Sequence, residues 1–327
     1  MLSLRRGTVT AIAERHDGLV RLEVDGRACV AYPDLTGPVA LGDDVLVNVQ
    51  AVELALGSGG FDVLHANLTR GLDLAPEPGA HVMKLPYTSL QHAVVHAEEG
   101  ADRESGLEGM PVVCCSLHSQ LAPVCAGLGR DIAVAYVQLP GGALPVALSD
   151  TVRTLRAEGY LRTTVAVGPC LGGDSACVSA ASALVACSRA GMDAVVCSVG
   201  PGLVGTGSRY GHGGLAAADA ANAAGALGGT PILAARVSDA DPRGRHRGLS
   251  HHTLSVGELV GGEAAVAWPA ELELPPELPA AEAVDAGGWR EACAGLPLSH
   301  MGRGPDEEPS FFAAAYAAGV LARTRIR

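Results

Sequence analysis

Lysine is almost absent from this sequence of 327 residues, in which Lys84 stands alone and arginine supplies the remaining positive charge. Basic residues are scarce overall, with 23 lysines and arginines against 35 aspartates and glutamates and a formal net charge of −12. Proteins that bind nucleic acid through its backbone are normally basic, so this balance excludes a general nucleic-acid binder. We interpret the missing lysine as an effect of base composition. Whether Lys84 and the nearby His81 reach a functional site stays open at this level.

Two kinds of hydrophobic segment are also missing. The opening residues, MLSLRRGTVTAIAERH, lack the apolar stretch of a signal peptide. No run of about 18 apolar residues is free of charge, so no membrane span is expected. We therefore expect a cytoplasmic chain without a membrane partner, whose nine cysteines are reduced. Cys170 and Cys177 lack the spacing of a structural zinc site.

The composition is that of a folded protein, since 48% of the residues are hydrophobic and 18% are charged. At roughly 150 residues per domain, the length predicts two domains. Residues 1–70 contain short β-rich segments separated by glycine and aspartate, which predicts a small β-barrel or meander. Residues 71–110 are predicted to be a linker and connecting segment.

Residues 111–327 are predicted to form an α/β domain. The predicted strands are continuous apolar runs, as buried parallel strands are: MPVVCC, DIAVAYVQL, TTVAVG, DAVVCSVG and TPILAARVS. Helices are predicted near 119–128, 151–158, 176–189 and 215–227, with a closing helix over PSFFAAAYAAGVLA. This alternation predicts a mainly parallel sheet flanked by helices, of the doubly wound type. Phe311 and Phe312 in the closing helix are expected in the core or in a dimer contact, so a homodimer stays open.

The loops that follow parallel strands leave the sheet at one edge, where ligands bind. Five loops are therefore expected to share a crevice: CSLHSQ, LPGGALP, GPCLGGDS, GPGLVGTGSRYGHGG and DADPRGRHRGLSHHT. The last two are longer than the roughly 2–6 residues that are usual for such loops, which favours a functional role. Residues 199–253 carry five arginines against three aspartates, and four of the eleven histidines. This local positive charge on an acidic chain predicts an anionic ligand.

The glycine-rich loop matches two nucleotide-binding patterns only in part. GPGLVG fits GxGxxG, but the predicted helix begins near Gly214 and no acidic residue follows at about 20 positions. GLVGTG has P-loop spacing, but Ser208 and Arg209 replace the Lys-Ser/Thr pair. A backbone cradle for an anion remains, and an ordered turn packed by its own contacts is the alternative. The proposed cradle consists of Gly202, Gly205, Thr206, Gly207 and Ser208.

The following loop supplies side chains for the same anion. Arg243 and Arg247 are predicted to clamp it, because the guanidinium fork suits phosphate and carboxylate. Asp241 is expected to orient an arginine or to hold a metal. Adjacent histidines point in different directions on a helix, so His251 and His252 are not expected to bind one metal. One of them is expected to act as acid or base.

Other candidate residues keep two interpretations each. His118, across the crevice, is a second candidate acid or base. Cys115 beside it suggests a Cys–His nucleophile pair, and a buried, inert thiol is the alternative. Asp150 and Asp174 are weak candidates for metal binding, as is His212, but each aspartate could also simply cap a helix.

Four segments together resemble the bacterial domain of unknown function 3866 family: GMPVVCCSLHSQLAPV, GGALPVALSDTVRTL, VGPGLVGTGSRYGHGG and ADPRGRHRGLSHHTLS. The resemblance extends over nearly the whole chain, and the last two segments are its most specific part. It implies one continuous unit in a bacterial cytoplasm. It implies no activity, so no catalytic residue is carried over from it.

The sequence favours an enzyme that acts on a small anionic molecule carrying phosphate or carboxylate, as a hydrolase or transferase. No cofactor is identified, and a divalent metal stays open. One alternative is a metal-dependent hydrolase that uses His118, His212 and an aspartate as ligands. The other is a non-catalytic ligand-sensing or scaffolding protein whose β domain binds a partner.

Overall fold

The structure is a computed structural model that describes residues 2–55, 60–71, 74–99 and 106–326. The chain divides into two compact units, Met1–Val94 and Val95–Arg327.

The first unit contains a closed barrel of five strands. The strands are β1 (Leu4–His16), β2 (Leu19–Val24), β3 (Arg27–Ala31), β4 (Asp44–Asn48) and β5 (Asp62–Asn67), in the order β1-β2-β3-β5-β4. Alternate residues such as Val45 and Val47 are fully buried inside it, which is the period-two pattern of a half-buried strand. The predicted small β-barrel is therefore confirmed.

Short elements complete this unit. The helices are α1 (Pro33–Thr36) and α2 (Gln50–Glu53), and β6 (Val82–Lys84) and β7 (His92–Val94) form an antiparallel pair. Lys84 is buried within this pair, whereas His81 just before it is exposed. Both residues thus belong to the first unit.

The second unit is built on eight parallel strands in the order β11-β10-β9-β12-β8-β13-β16-β17. The strands are β8 (Pro111–Cys115), β9 (Val134–Leu139), β10 (Thr163–Val167), β11 (Ser175–Cys177), β12 (Ala194–Val199), β13 (Thr230–Ala234), β16 (Ala265–Pro269) and β17 (Glu282–Val284). A separate ribbon pairs β14 (Val237–Ser238) with β15 (Gly248–Leu249). The central strands are buried throughout, as their apolar runs predict.

Helices cover both faces of this sheet, which confirms the doubly wound class. The helices are α3 (Leu121–Leu128), α4 (Asp150–Ala157), α5 (Ala180–Arg189), α6 (Ala216–Ala226), α7 (His251–Leu259), α8 (Trp289–Ala292) and α9 (Pro309–Thr324). One face packs α3, α4, α8 and α9, and the other packs α5, α6 and α7. Phe311 and Phe312 are fully buried in the first of these cores. Among the described residues, no helix has the length and apolar character needed to cross a membrane.

The segment before α5 differs from the prediction of a helix over 176–189. Gly172 and Gly173 have φ of +72° and +82° and turn the chain back, so that β11 pairs with β10 before the helix begins. Ser179 caps α5 by accepting a hydrogen bond from the Ser182 N–H, and Asp174 does not cap it. The Asp174 carboxylate instead accepts the Thr164 N–H at 2.8 Å and pairs with Arg156.

The N-cap of α4 is Ser149, the residue before Asp150. Ser149 accepts a hydrogen bond from the Val152 N–H at 3.0 Å. Asp150, the first residue of the helix, is exposed and pairs with Arg153. Neither Asp150 nor Asp174 is therefore an unengaged carboxylate at the sheet edge.

The strand order contains a switch point between β9 and β12. After β9 the chain continues through α4 on one face, whereas after β12 it continues through α6 on the other face. Loops from these two adjacent strands thus separate towards opposite faces, and such switch points are where open α/β sheets bind ligands.

Candidate functional site

Four histidine rings contact one another at the carboxyl edge of the sheet: His212, His246, His251 and His252. The ring centroids of His212 and His252 lie 3.7 Å apart in a parallel stack. The His251 centroid lies 4.5 Å from that of His252 and 4.7 Å from that of His246. The loops after β12 and β13 therefore meet, as expected for loops that leave one edge of a parallel sheet.

The expectation that His251 and His252 would point in different directions is wrong. Both residues lie in the first turn of α7, where side chains lean back past the helix N-terminus and no preceding turn separates them. Ser250 fixes this turn as the N-cap, since its Oγ accepts the His252 N–H. The same Oγ forms a hydrogen bond of 2.8 Å with Nδ1 of His246. One serine therefore organises two of the four rings.

Gly214 allows the loop after β12 to approach the end of β8. A Cβ at Gly214 would lie 2.8 Å from the carbonyl oxygen of Ser116 and 3.1 Å from Nδ1 of His212. Glycine is thus required where His212 enters the cluster. The same approach places Ser116, which is buried, beside the His212 ring.

Burial is the main reason why these rings are neutral at pH 7. It lowers the pKa of His212 to about 4, that of His246 to about 3 and that of His252 to about 2. The positive charge of Arg236 contributes to the lowering of all three pKa values. A neutral imidazole has one N–H donor and one lone pair. Each ring can therefore accept a proton at one nitrogen and donate a hydrogen bond from the other.

Arg236 and Asp241 form a buried charged pair beneath the histidines. Arg236 donates from Nη1 to Nδ1 of His252 at 2.9 Å, and its Nη2 lies 3.6 Å from Oδ2 of Asp241. Arg243 donates two hydrogen bonds to the same carboxylate, from Nε to Oδ1 at 2.9 Å and from Nη2 to Oδ2 at 2.7 Å. The Arg243 guanidinium holds the pKa of Asp241 well below its usual range. Of the two predicted roles, Asp241 therefore performs that of orienting an arginine.

A second buried carboxylate, Glu308, was not predicted. It accepts hydrogen bonds from Nε of Arg303 at 2.5 Å, from Oγ of Ser238 at 2.8 Å and from the Asp239 N–H at 2.8 Å. Arg303 in turn brings Nη2 to 3.8 Å from Oδ2 of Asp241. The only sequence signal is the position of Glu308 just before the closing helix, which does not reveal a partner 70 residues away.

Buried polar atoms without a hydrogen-bond partner are concentrated around this cluster, within the part of the chain that the structure describes. They are Oγ of Ser116, Nδ1 and Nε2 of His212, Nε of Arg236, Nε2 of His251, Nε2 of His300 and Nη2 of Arg303. Buried polar groups in native proteins nearly always have partners, so these atoms are available to hydrogen-bond a bound molecule. Guanidinium, hydroxyl and neutral imidazole groups can all donate, and their complement is an anion with several oxygen acceptors.

The glycine-rich loop before the cluster folds into a hairpin. Gly205 and His212 form an antiparallel bridge, and the Thr206 N–H donates to the Gly211 carbonyl at 2.8 Å. The hydroxyls of Thr206 and Ser208 bond to each other at 2.9 Å. Both hydroxyls are exposed at the tip, so the hairpin is ordered by its own contacts and still presents polar groups outward.

The arginine that reaches this hairpin is Arg245. Its Nη2 lies 3.2 Å from the position of a Cβ on Gly207, whose φ of +81° favours glycine. Gly202 also has a positive φ, of +72°. The charge of Arg245 adds to burial in lowering the pKa of His251. The predicted clamp residue Arg247 is exposed, and so is Arg245, which was not among the predicted clamp residues.

Four glycines pack loop backbones against each other. A Cβ on Gly213 would lie 2.0 Å from the carbonyl oxygen of Gly141, and one on Gly142 would lie 2.2 Å from that of Gly200. These distances are far shorter than any real contact, so the loops after β9 and β12 need glycine in order to touch. At these positions the glycines serve packing.

His118 forms a pair with a serine. Its Nε2 lies 2.6 Å from Oγ of Ser149, and its Nδ1 lies 3.2 Å from the carbonyl oxygen of Val199. Burial lowers the pKa of His118 to about 4. Cys115 is fully buried, and burial raises the pKa of its thiol far above the usual value. Cys115 therefore fits the interpretation as a buried, inert thiol better than that of a Cys–His nucleophile pair.

Three of the histidines lie close enough together to be considered as ligands of one metal ion. His212, His251 and His252 each place a ring nitrogen within 4.8 Å of the others. The lone pair of an imidazole nitrogen lies in the ring plane, and the planes of His212 and His252 are nearly parallel, at 9°. Their lone pairs do not converge on one point, and Nδ1 of His252 already accepts from Arg236. The arrangement therefore fits an anion better than a cation.

Comparison with known proteins shows a family. A family model described as "Protein of unknown function (DUF3866)" covers residues 27–319. This confirms the resemblance found in the sequence. A search of curated proteins returned no match.

Proposed function

The chain belongs to the DUF3866 family, whose description names no activity, and from the site itself we propose an enzyme that acts on a small anionic molecule. The molecule carries phosphate or carboxylate and binds at the carboxyl edge of the parallel sheet. The observation that supports this most directly is the concentration of unpartnered buried donors around His212, Arg236 and Arg303. An oxyanion supplies several acceptors in a small volume, which is what these donors lack.

The binding groups form two layers in this proposal. Arg236 and Arg303 bind the anion from the buried side, where the carboxylates of Asp241 and Glu308 hold them in place. The hairpin at 202–208 binds the anion from the exposed side, together with Arg243, Arg245 and Arg247. Fixed carboxylates keep the guanidinium groups oriented before the ligand arrives, which lowers the cost of ordering them on binding.

His251 is the proposed acid or base. Its ring is partly exposed, its Nε2 has no hydrogen-bond partner, and its pKa is lowered mainly by burial. A neutral ring has a lone pair that can accept a proton, and a bound anion beside it raises its pKa and stabilises the protonated form. His252 holds the ring of His251 in place through their edge-to-face contact.

Binding of inorganic phosphate tests the proposal. A ligand that binds only the folded state raises the melting temperature. We expect phosphate to do so in the wild type but not in His251→Ala, His252→Ala or Arg303→Gln. The matched control is Arg290→Gln, which removes an equal charge from an exposed pair with Asp306 and should keep the effect.

Unchanged phosphate binding in all of the site variants would place the site elsewhere. Turnover separates the remaining alternatives. A ligand-sensing protein would bind the anion and lose binding in the same variants, but it would show no product with any phosphate or carboxylate ester. A metal-dependent hydrolase would lose activity in EDTA and regain it with metal.

We also propose that the protein works in the bacterial cytoplasm. All nine cysteines are buried and free, which is typical of a reducing compartment. Mass analysis of alkylated protein, before and after reduction, tests this point: equal thiol counts are expected in material from the native source.

A further inference from the structure

A second polar pair lies at the switch point of the sheet, apart from the histidine cluster. His118 follows β8, and Ser149 ends the loop after β9 and caps α4. The strand β12 lies between β8 and β9 in the sheet, and Val199, its last residue, provides its carbonyl oxygen to His118. Three neighbouring strands thus bring one imidazole, one hydroxyl and one carbonyl together.

The contacts of His118 determine its tautomer. A carbonyl oxygen can only accept, so Nδ1 carries the proton and donates to Val199. Nε2 then has a free lone pair, and at 2.6 Å it accepts the hydroxyl proton of Ser149. This is the arrangement in which a histidine acts as the base for a serine nucleophile and a third group fixes the ring.

We propose that Ser149 is a nucleophile activated by His118, and that the protein transfers an acyl group from an ester to water. The Ser149 hydroxyl is buried, but the neighbouring loop residues 141–145 and the His118 ring are partly exposed. A carbonyl group can therefore approach from the loop side.

Oγ of Ser149 bonds to the carbonyl carbon, its proton passes to Nε2 of His118, and the carbonyl electrons move onto oxygen. When the carbonyl re-forms, the bond to the leaving alcohol breaks, and the alcohol takes the proton from Nε2. Water then repeats the sequence on the acyl-serine and releases the acid and the free serine.

The nucleophile stands independently of the anion site, but the substrate class rests on the proposed function. Gly141, in the loop before Ser149, touches Gly213, next to His212. An ester that carries a phosphate or carboxylate could thus place its charge in the histidine cluster and its carbonyl at Ser149. The product would be an acid and an alcohol, of which at least one is anionic at that second group.

Covalent labelling tests the nucleophile. Diisopropyl fluorophosphate phosphorylates an activated serine with loss of fluoride, and peptide mapping locates the adduct. We expect one adduct on Ser149 in the wild type. His118→Gln should label at least about 100-fold more slowly, the usual effect of losing a general base. Ser149→Asn retains a helix-capping side chain and should fold without being labelled.

The chain provides a matched internal control in Ser179. This serine also caps a helix and accepts an N–H, but its hydroxyl neighbour is Ser182 and not a histidine. We expect it to stay unlabelled. No adduct on Ser149 in protein that melts normally, or equal labelling of Ser149 and Ser179, would overturn the proposal and leave Ser149 as a helix cap.

A second variant covers a failure of Ser149→Asn to fold. Ser149→Cys introduces a thiol beside His118, against a background of nine buried native thiols. Iodoacetamide should alkylate position 149 first, and more slowly once His118→Gln is added. Alkylation that ignores His118 contradicts the proposal. None of these measurements depends on phosphate binding, so failure here is distinct from failure of the anion site.

Discussion

The imidazole rings of His212 and His252 lie in parallel planes with centroids 3.7 Å apart. This contact supports one of the two kinds of ligand that a histidine cluster can hold. Stacked rings direct their in-plane lone pairs side by side, and the nearby Arg236 adds positive charge that disfavours a cation. Neutral rings beside fixed guanidinium groups favour an anion.

We therefore predict that protein purified without chelator contains well below one equivalent of transition metal. Elemental analysis by mass spectrometry measures this directly. Zinc should leave the melting temperature unchanged, whereas phosphate should raise it. Stoichiometric metal that disappears in His212→Gln would contradict the prediction and support the metal-dependent hydrolase.

Acid should destabilise the second unit at a higher pH than carboxylate titration alone would. Burial lowers the pKa of His118, His212 and His300 to about 4, against about 6.5 in an unfolded chain. The unfolded chain therefore binds more protons below pH 6.5, and stability falls as the pH drops from 6.5 towards 4. Each such histidine contributes up to about 1.4 kcal/mol per pH unit.

Urea unfolding between pH 7 and pH 5 checks this, and we expect a loss of at least about 3 kcal/mol. His118→Gln should reduce the slope by about one proton. A flat profile over this range would mean that the rings are protonated as easily in the folded chain as in the unfolded one.

Much of the fold could be predicted because the core strands are short, continuous apolar runs between recognisable loops. β8, β9, β10, β12 and β13 all lie inside the predicted runs. β11 was missed because three residues before a helix carry no periodic signal, and only pairing with β10 defines them as a strand.

The site was predictable to the extent that it depends on strand order. Loops that follow β12 and β13 were expected to meet, and His212 and His251 do so. The partners of charged side chains were not predictable, because they depend on long-range packing. Arg236 lies in a segment that was predicted to be a strand, so its role was not recognised. Nothing in the sequence links His118 to Ser149, 31 residues later.

Asp241→Asn should destabilise the protein strongly. The carboxylate is fully buried and neutralises Arg243, with Arg236 and Arg303 nearby. Removing one partner of a buried ion pair leaves uncompensated charge, which costs about 3–5 kcal/mol. Asp131→Asn is the control, since it breaks an exposed pair with Arg323 and should cost less than about 1 kcal/mol. Equal free energies of unfolding for the two variants would show that Asp241 is not needed to balance the arginines.

Gly213→Ala should separate the loops after β9 and β12, because its Cβ would lie 2.0 Å from the Gly141 carbonyl oxygen. Overpacking of this kind costs about 1–3 kcal/mol. The shift should also displace the adjacent His212 and weaken phosphate binding.

Gly257→Ala is the matched control for this change. Gly257 lies inside α7 with no atom within 4 Å of the new Cβ, and alanine there should stabilise the helix by about 0.5–1 kcal/mol. Urea unfolding and the phosphate-induced melting shift measure both effects. If Gly213→Ala kept both the stability and the phosphate response of Gly257→Ala, the backbone contact between the two loops could not be what positions His212.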